Sequence, residues 1–330
     1  MNYRALGRTG LEVSEIGFGC GNVGGLMVRG EHRDQVKAVA RAMELGINYF
    51  DTASQYGDGQ SETNLGRVLN ELNAQVYVGT KYRLTADDDA DIKAGIIASV
   101  DASLARMGRE HVNLIQLHNR LAPQRDLAGG TLSVEDVLGE VVEATETLKS
   151  QGKIDFWGLT GVGVPESLNR VVDSGALYSI QTVYNLINAS AGADVVPGFD
   201  MPDFKRMIDK SNAAGMGVIV IRVLAAGALS GVAERDPVAV PTVAPIGSGR
   251  DYQQDFDRSE RFRFLVDEGF ADDLVEASVR FALSNTGVST VLVGYSNLDH
   301  LEQSVQFADK GPLPSEALDR LPQVWAQFVA

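Results

Sequence analysis

Short apolar runs of strand length alternate with segments whose apolar positions recur every three or four residues, almost without interruption. After a polar start with a turn over residues 7–10, Ile16–Gly19 reads as a buried strand. Residues 34–45 follow as a helix, with Val36, Val39, Ala40 and Met43 on one face and Gly46 as the stop. Residues 47–51 form the next strand, 64–72 a helix and 76–81 a strand. Ile92–Met107 is a long amphipathic helix, and 114–118 is again a strand. In the second half Ser133 and Asp136 make a capping box for a helix over 133–149 that stops at Gly152. Strands are predicted at Ile154–Thr160, 179–184, 217–223 and Thr290–Gly294. Helices are predicted at 166–173, 204–214, 272–284, 297–308 and 315–328.

Eight strands, most followed by a helix, imply a parallel sheet. An unbroken series of that length favours a closed α/β barrel, an (α/β)8 TIM barrel, over an open doubly wound sheet. The length of 330 residues fits two domains at roughly 150 residues each, but barrels run well past about 250 residues as one. No linker divides the chain, so residues 1–330 are read as a single domain. Two stretches, 120–130 and 225 to about 258, exceed the usual loop length. Both follow strand C-termini, where barrels build their sites.

Charge and composition narrow the partners. The net charge of −15 repels phosphate backbones and anionic lipid, so neither nucleic acid nor a membrane surface is an expected partner. A small anion is still admissible, because a few local donors outweigh a distant net charge. One cysteine, Cys20, allows no internal disulfide, and the four histidines are scattered, so no metal site is expected. The chain opens on mixed polar residues, and no apolar run approaches about 18 residues. A cytoplasmic protein is expected. Oligomeric state leaves no mark in the sequence.

The segment Gly19-Cys20-Gly21-Asn22-Val23-Gly24 matches the dinucleotide fingerprint G-x-G-x-x-G after a strand. That fingerprint needs a helix to begin inside the glycine turn, whereas helical periodicity here resumes only near Asp34. It reads instead as a glycine-rich loop that lets a ligand approach the backbone. The chemistry lies at three successive strand ends. Asp51 ends the second strand with Tyr56 just beyond, Lys81 ends the third, and His118 ends the fourth. In a barrel, such strand ends converge on one pocket.

With those residues in place, the chain resembles the aldo-keto reductases. The resemblance runs through 6–14, Ile16–Gly19, Asn48-Tyr49-Phe50-Asp51-Thr52-Ala53, Tyr56-Gly57 and Leu65-Gly66. It continues in Gly152-Lys153-Ile154, Gln181, Tyr184-Asn185, 227–231 and Val293-Gly294. It implies a nicotinamide cofactor held by a barrel without a Rossmann domain. Implied cofactor contacts are Gly19, Cys20 and Gly21 after the first strand, with Asp51, Thr160, Gly161 and Gln181. From the seventh strand come Ile221, Arg222, Leu224, Gly227 and Leu229. From the eighth come Gly294, Ser296, Asn297, His300, Gln303 and Ser304. The pattern departs from the family where Thr160-Gly161 replaces a Ser-Asn pair and Ile221 an aromatic residue. Arg222 is either a surface charge or a grip on a pyrophosphate or polar substrate.

The resemblance also implies the roles. Carbonyl reduction needs a hydride and a proton for the developing alkoxide. A free tyrosine phenol, pKa about 10, donates poorly at neutral pH, and an adjacent ammonium favours phenolate. Tyr56 is therefore the general acid/base, Lys81 and Asp51 its relay, and His118 the donor that orients the carbonyl. Substrate contacts are Tyr56, His118 and Asn119, the pair Asn119-Arg120 standing where a Trp-Pro is frequent and pointing to a more polar pocket. The segment 294–303 has no Lys or Arg, so NAD(H) is favoured, with NADP(H) possible. The substrate is an aldehyde, ketone or sugar. The alternatives are oxidation in the manner of aldose or L-galactose dehydrogenases, or a redox-sensing module resembling potassium-channel β subunits.

Overall fold

The strand Gly217–Ile221 reads Gly-Val-Ile-Val-Ile, a pattern satisfied only by burial on both faces. The computed structural model, which describes residues 1–232 and 234–329, supplies both. The strands are β1 (Ile16–Gly19), β2 (Tyr49–Asp51), β3 (Tyr77–Tyr82) and β4 (Val112–Leu117). They continue as β5 (Ile154–Thr160), β6 (Ser179–Val183), β7 (Gly217–Ile221) and β8 (Thr290–Gly294). They close in chain order into an all-parallel barrel, β8 pairing with β1. Register sets Gly19 level with Asp51 and with Gly294, and Thr160 level with Gln181.

The helices that alternate with these strands include α1 (His32–Glu44), α2 (Gln60–Glu71), α3 (Ile92–Met107), α4 (Val142–Ser150), α5 (Pro165–Asp173), α6 (Met207–Ala213), α7 (Leu274–Ser284) and α8 (Leu298–Asp309). Local chemistry explains their limits. Asp91 caps α3 through Ala94 N, and Gly108 ends it in the left-handed region. Ser133 and Asp136 form the expected capping box, from which a short helix passes through one π-helical turn, Val137–Val141, into α4. Apolar residues between the strands and the helices form the main core.

A second, smaller core lies inside the barrel, where Tyr49, Leu114, Ile219 and Leu292 meet Leu6 and Val13. The latter two belong to an N-terminal hairpin, Tyr3–Ala5 with Glu12–Ser14, that plugs the bottom. The sequence marks this stretch only as a polar start with a turn, because three-residue strands carry too little period to register. Two other expectations are corrected. The helix expected at 204–214 begins only at Met207, since Lys205 and Arg206 hold φ values of 53° and 56°. The helix expected at 315–328 is two short ones, Ser315–Leu318 and Leu321–Trp325, because Pro322 cannot donate to a continuing ladder. The 225–258 stretch also holds a helix, Tyr252–Ser259. No helix among the described residues is long and apolar enough to cross a membrane.

Candidate active site

Lys81 is buried, with 1% of its surface exposed, on a β3 whose neighbours supply every partner it needs. Its Nζ donates to Asp51 Oδ1 at the end of β2, to Thr52 O at 2.8 Å and to Tyr56 Oη at 3.2 Å. Asp51 is braced from the other side by Gln181 Nε2 at 2.7 Å and Tyr49 Oη at 3.3 Å. Burial opposes both charges, lifting the Asp51 carboxyl above its ordinary range and working against the Lys81 ammonium. For Lys81 the Asp51 charge and the Tyr56 contact outweigh burial, so its pKa lies above that of an ordinary lysine. Lys81 is therefore held as the ammonium, facing both Asp51 and the Tyr56 hydroxyl.

Tyr56 reaches this lysine because the chain reverses directly after it. Gly57, Asp58 and Gly59 all take positive φ, a turn that glycine makes without strain at two of the three positions. The Tyr56 ring meets His118 edge-on at 5.9 Å between centroids. His118 lies one residue past β4 and is exposed only in part, toward the cavity. Burial, aided by the Lys81 and Arg83 charges, pushes its pKa down to about 3. Its Nδ1 is buried without a partner among the described residues, which leaves Nε2 to meet a ligand.

A neutral His118 has a thermodynamic consequence. Between the ordinary value of 6.5 and about 3, the unfolded chain binds a proton that the folded one refuses. His118 therefore lowers stability progressively as pH falls below about 6.5, and it does not titrate in the activity profile between about pH 5 and 8. Urea midpoints of wild type and His118→Asn, followed from pH 7 to pH 4, check this. The wild-type value should fall relative to the variant, and parallel curves would contradict it.

Above these residues opens a cavity of about 1120 Å³ at the C-terminal ends of the strands. Gly19, Gly21, Asp51, Tyr56 and His118 line it, as do Thr160 and Gln181, whose side chains lie 3.4 Å apart. So do Ile221 at the end of β7 with Arg222, Leu224 and Gly227 beyond it, and Gly294 at the end of β8 with Ser296, His300, Gln303 and Ser304 beyond it. Arg222 holds the left-handed backbone at φ 59°.

Five expected contacts do not face this cavity. Cys20 is turned into the core, its N–H bound to Asp51 O and its carbonyl to Ser61 Oγ. Gly161 donates its N–H to Gln181 O at 2.6 Å, the ladder having run one residue past β5. Leu229 is fully buried under the turn that follows β7. Asn297 caps α8 through His300 N and donates to Asp236 Oδ2 at 2.9 Å. Asn119 is buried, pairing with both backbone groups of Leu84. Sequence reasoning missed Arg83, Arg235 and Asp236, which line the cavity from loops that no motif marks.

Comparison with known proteins places this architecture. Residues 15–326 match the model of the Aldo/keto reductase family. The chain is 28% identical to L-galactose dehydrogenase of Arabidopsis thaliana, over 92% of this chain and 87% of the relative. It is 26% identical to the uncharacterized oxidoreductase YqkF of Bacillus subtilis, over 97% and 95%. The solved aldo-keto reductase AKR11C1 from Bacillus halodurans shares the fold with a TM-score of 0.71 at 24% identity, covering 100% of this chain and 97% of that one.

Proposed function

The chain belongs to the aldo/keto reductase family, oxidoreductases that work with nicotinamide cofactors on small carbonyl or sugar compounds, and on that premise we propose the roles of its own residues. The observation that carries the reading is the Lys81 ammonium, which bridges Asp51 and the Tyr56 hydroxyl at the floor of the cavity beside a neutral His118. Tyr56 Oη gives its proton to the developing alkoxide, and Lys81 at 3.2 Å stabilises the phenolate left behind. Asp51 holds Lys81 in place. His118 donates a hydrogen bond to the same oxygen and aligns the carbonyl. In the oxidative direction the Tyr56 phenolate takes the alcohol proton, and the likeness to L-galactose dehydrogenase supports a sugar in that role.

The residues fit a nicotinamide dinucleotide. Gln181 gives Nε2 to Asp51 and accepts from the Thr160 hydroxyl on Oε1 at 3.4 Å, and a second lone pair on Oε1 can accept from a carboxamide N–H. A Cβ at Gly294 would meet nothing nearer than 3.7 Å, so ground next to the α8 N-terminus is open for phosphate. When bound, the group supplies the hydride to the carbonyl carbon or accepts it from the alcohol. Assay of both nicotinamide cofactors against aldehydes, ketones and sugars, in both directions, tests the proposal. No steady turnover in any combination overturns it and leaves the sensing alternative.

The preferred cofactor is NAD(H). Ser296 and His300 line the cavity after β8, where no Lys or Arg stands, and Ser296 Oγ is engaged with Gly24 O. Asp236 lies against Asn297 at the same corner, and its carboxylate would repel a 2′-phosphate and accept from a ribose hydroxyl. We expect kcat/KM to favour NADH. A tenfold preference for NADPH, about 1.4 kcal/mol, would contradict it.

A further inference from the structure

The chain carries 44 acidic against 29 basic residues, so an unpaired cation inside a cavity runs against composition. Other half-buried arginines pair with carboxylates, Arg106 with Glu62 and Arg280 with Glu276. Four arginines line the cavity, and none of them has an ion-pair partner among the described residues. Arg235 is engaged otherwise, donating to Val240 O and Ala226 O and lying over the Tyr252 ring. Arg222 donates to Ala244 O from the β7 side. Arg83 and Arg120 differ from both. Both are exposed and line the cavity with Tyr56 and His118, and neither side chain has a hydrogen-bond partner among the described residues.

These two arginines are nonetheless held relative to one another. Arg83 lies two residues beyond Lys81, and Arg120 two residues beyond His118. The buried Asn119 ties their loops together, accepting from Leu84 N at 2.8 Å and donating to Leu84 O at 2.9 Å. Arg120 N donates to Gly130 O at 3.2 Å, and the Arg83 guanidinium rests on Gly130 itself. A Cβ at Gly130 would come within 2.3 Å of Arg83 Nη2, and the residue has φ +79°. Only glycine suits that seat. The acids lining the cavity lie elsewhere: Asp51 is neutralised by Lys81, and Glu234, Asp236 and Asp273 all follow β7. Salt screens the distant negative charge over about 8 Å, so a ligand here meets the two guanidinium groups first.

We propose that Arg83 and Arg120 form an anion-binding subsite, so that the substrate bears a carboxylate or phosphate on the end remote from its reacting carbonyl or alcohol carbon. This rests on the oxidoreductase reading and narrows it. Guanidinium suits both anions, since its fork of donors matches two oxygens at once. The asparagine expected to touch substrate becomes instead the residue that positions these two.

Matched substrates test it. One pair is 4-carboxybenzaldehyde and its methyl ester; the other is glyceraldehyde 3-phosphate and glyceraldehyde. Wild type should favour the anionic member of at least one pair by roughly tenfold in kcat/KM, mainly through KM, and about 0.5 M salt should erode the preference. The pair that shows it tells carboxylate from phosphate. The double substitution Arg83→Gln, Arg120→Gln lies at exposed positions and should bring that ratio near one. A wild-type ratio near one for both pairs, or a preference that survives the double substitution, overturns the proposal. If none of these four aldehydes is turned over, the oxidoreductase reading is left to the wider assay above, and calorimetric titration with benzoate and inorganic phosphate at low salt decides the subsite alone. Binding that the double substitution abolishes supports it; no binding, or equal binding by both proteins, overturns it.

Discussion

Replacing Tyr56 with phenylalanine should lower kcat for carbonyl reduction by at least about 10²–10⁴-fold while cofactor affinity stays nearly unchanged. The phenol oxygen is the atom that Lys81 Nζ reaches at 3.2 Å, and its ring stands edge-on to His118. Phenylalanine keeps the ring, its packing and the reversed turn at Gly57 to Gly59. It removes only the proton donor. No other hydroxyl in the cluster can stand in, because Tyr49 Oη is buried and already donates to Asp51. Steady-state kinetics with one aldehyde, and cofactor titration by fluorescence, check the two halves separately. Near-normal kcat in Tyr56→Phe would sink the assignment.

Lys81→Met should damage activity and folding together. Deleting the ammonium leaves Asp51, 3% exposed, with only Tyr49 and Gln181 as donors. Breaking a buried pair by removing one partner costs about 3–5 kcal/mol, because the remaining charge is stranded. Activity falls as well, since the phenolate left by proton transfer loses its cation. Adding Asp51→Asn separates the effects: the double variant should regain much of the lost Tm without regaining turnover. Wild-type activity and Tm in the Lys81→Met protein would contradict both halves.

The fold and the reacting residues were legible because both follow from local pattern. Runs such as Val218-Ile219-Val220-Ile221 demand burial on both faces, and eight of them in series leave a barrel as the economical closure. Asp51, Tyr56, Lys81 and His118 stand at or just beyond strand ends, and parallel register carries adjacent strand ends to one mouth. Gly19, Gln181 and Gly294 came from the family resemblance, and the same cavity holds them. Pattern failed where a side chain's direction depends on residues distant in sequence. Nothing near Cys20 says that it turns into the core, and nothing near Asn119 says that it closes on Leu84.

Sequence alone thus determined the sheet, the order of its strands and the four groups at their ends, because two-residue and near-four-residue periods are written in consecutive residues. Only tertiary structure decided that Leu6 and Val13 fill the barrel floor, that Asp236 stands against Asn297, and that Arg83 and Arg120 face the cavity without a carboxylate. Those facts depend on loop paths, on the left-handed turns at Lys205 and Arg222, and on side chains that meet across long stretches of chain. No period along the backbone encodes such meetings; closure of the barrel creates them.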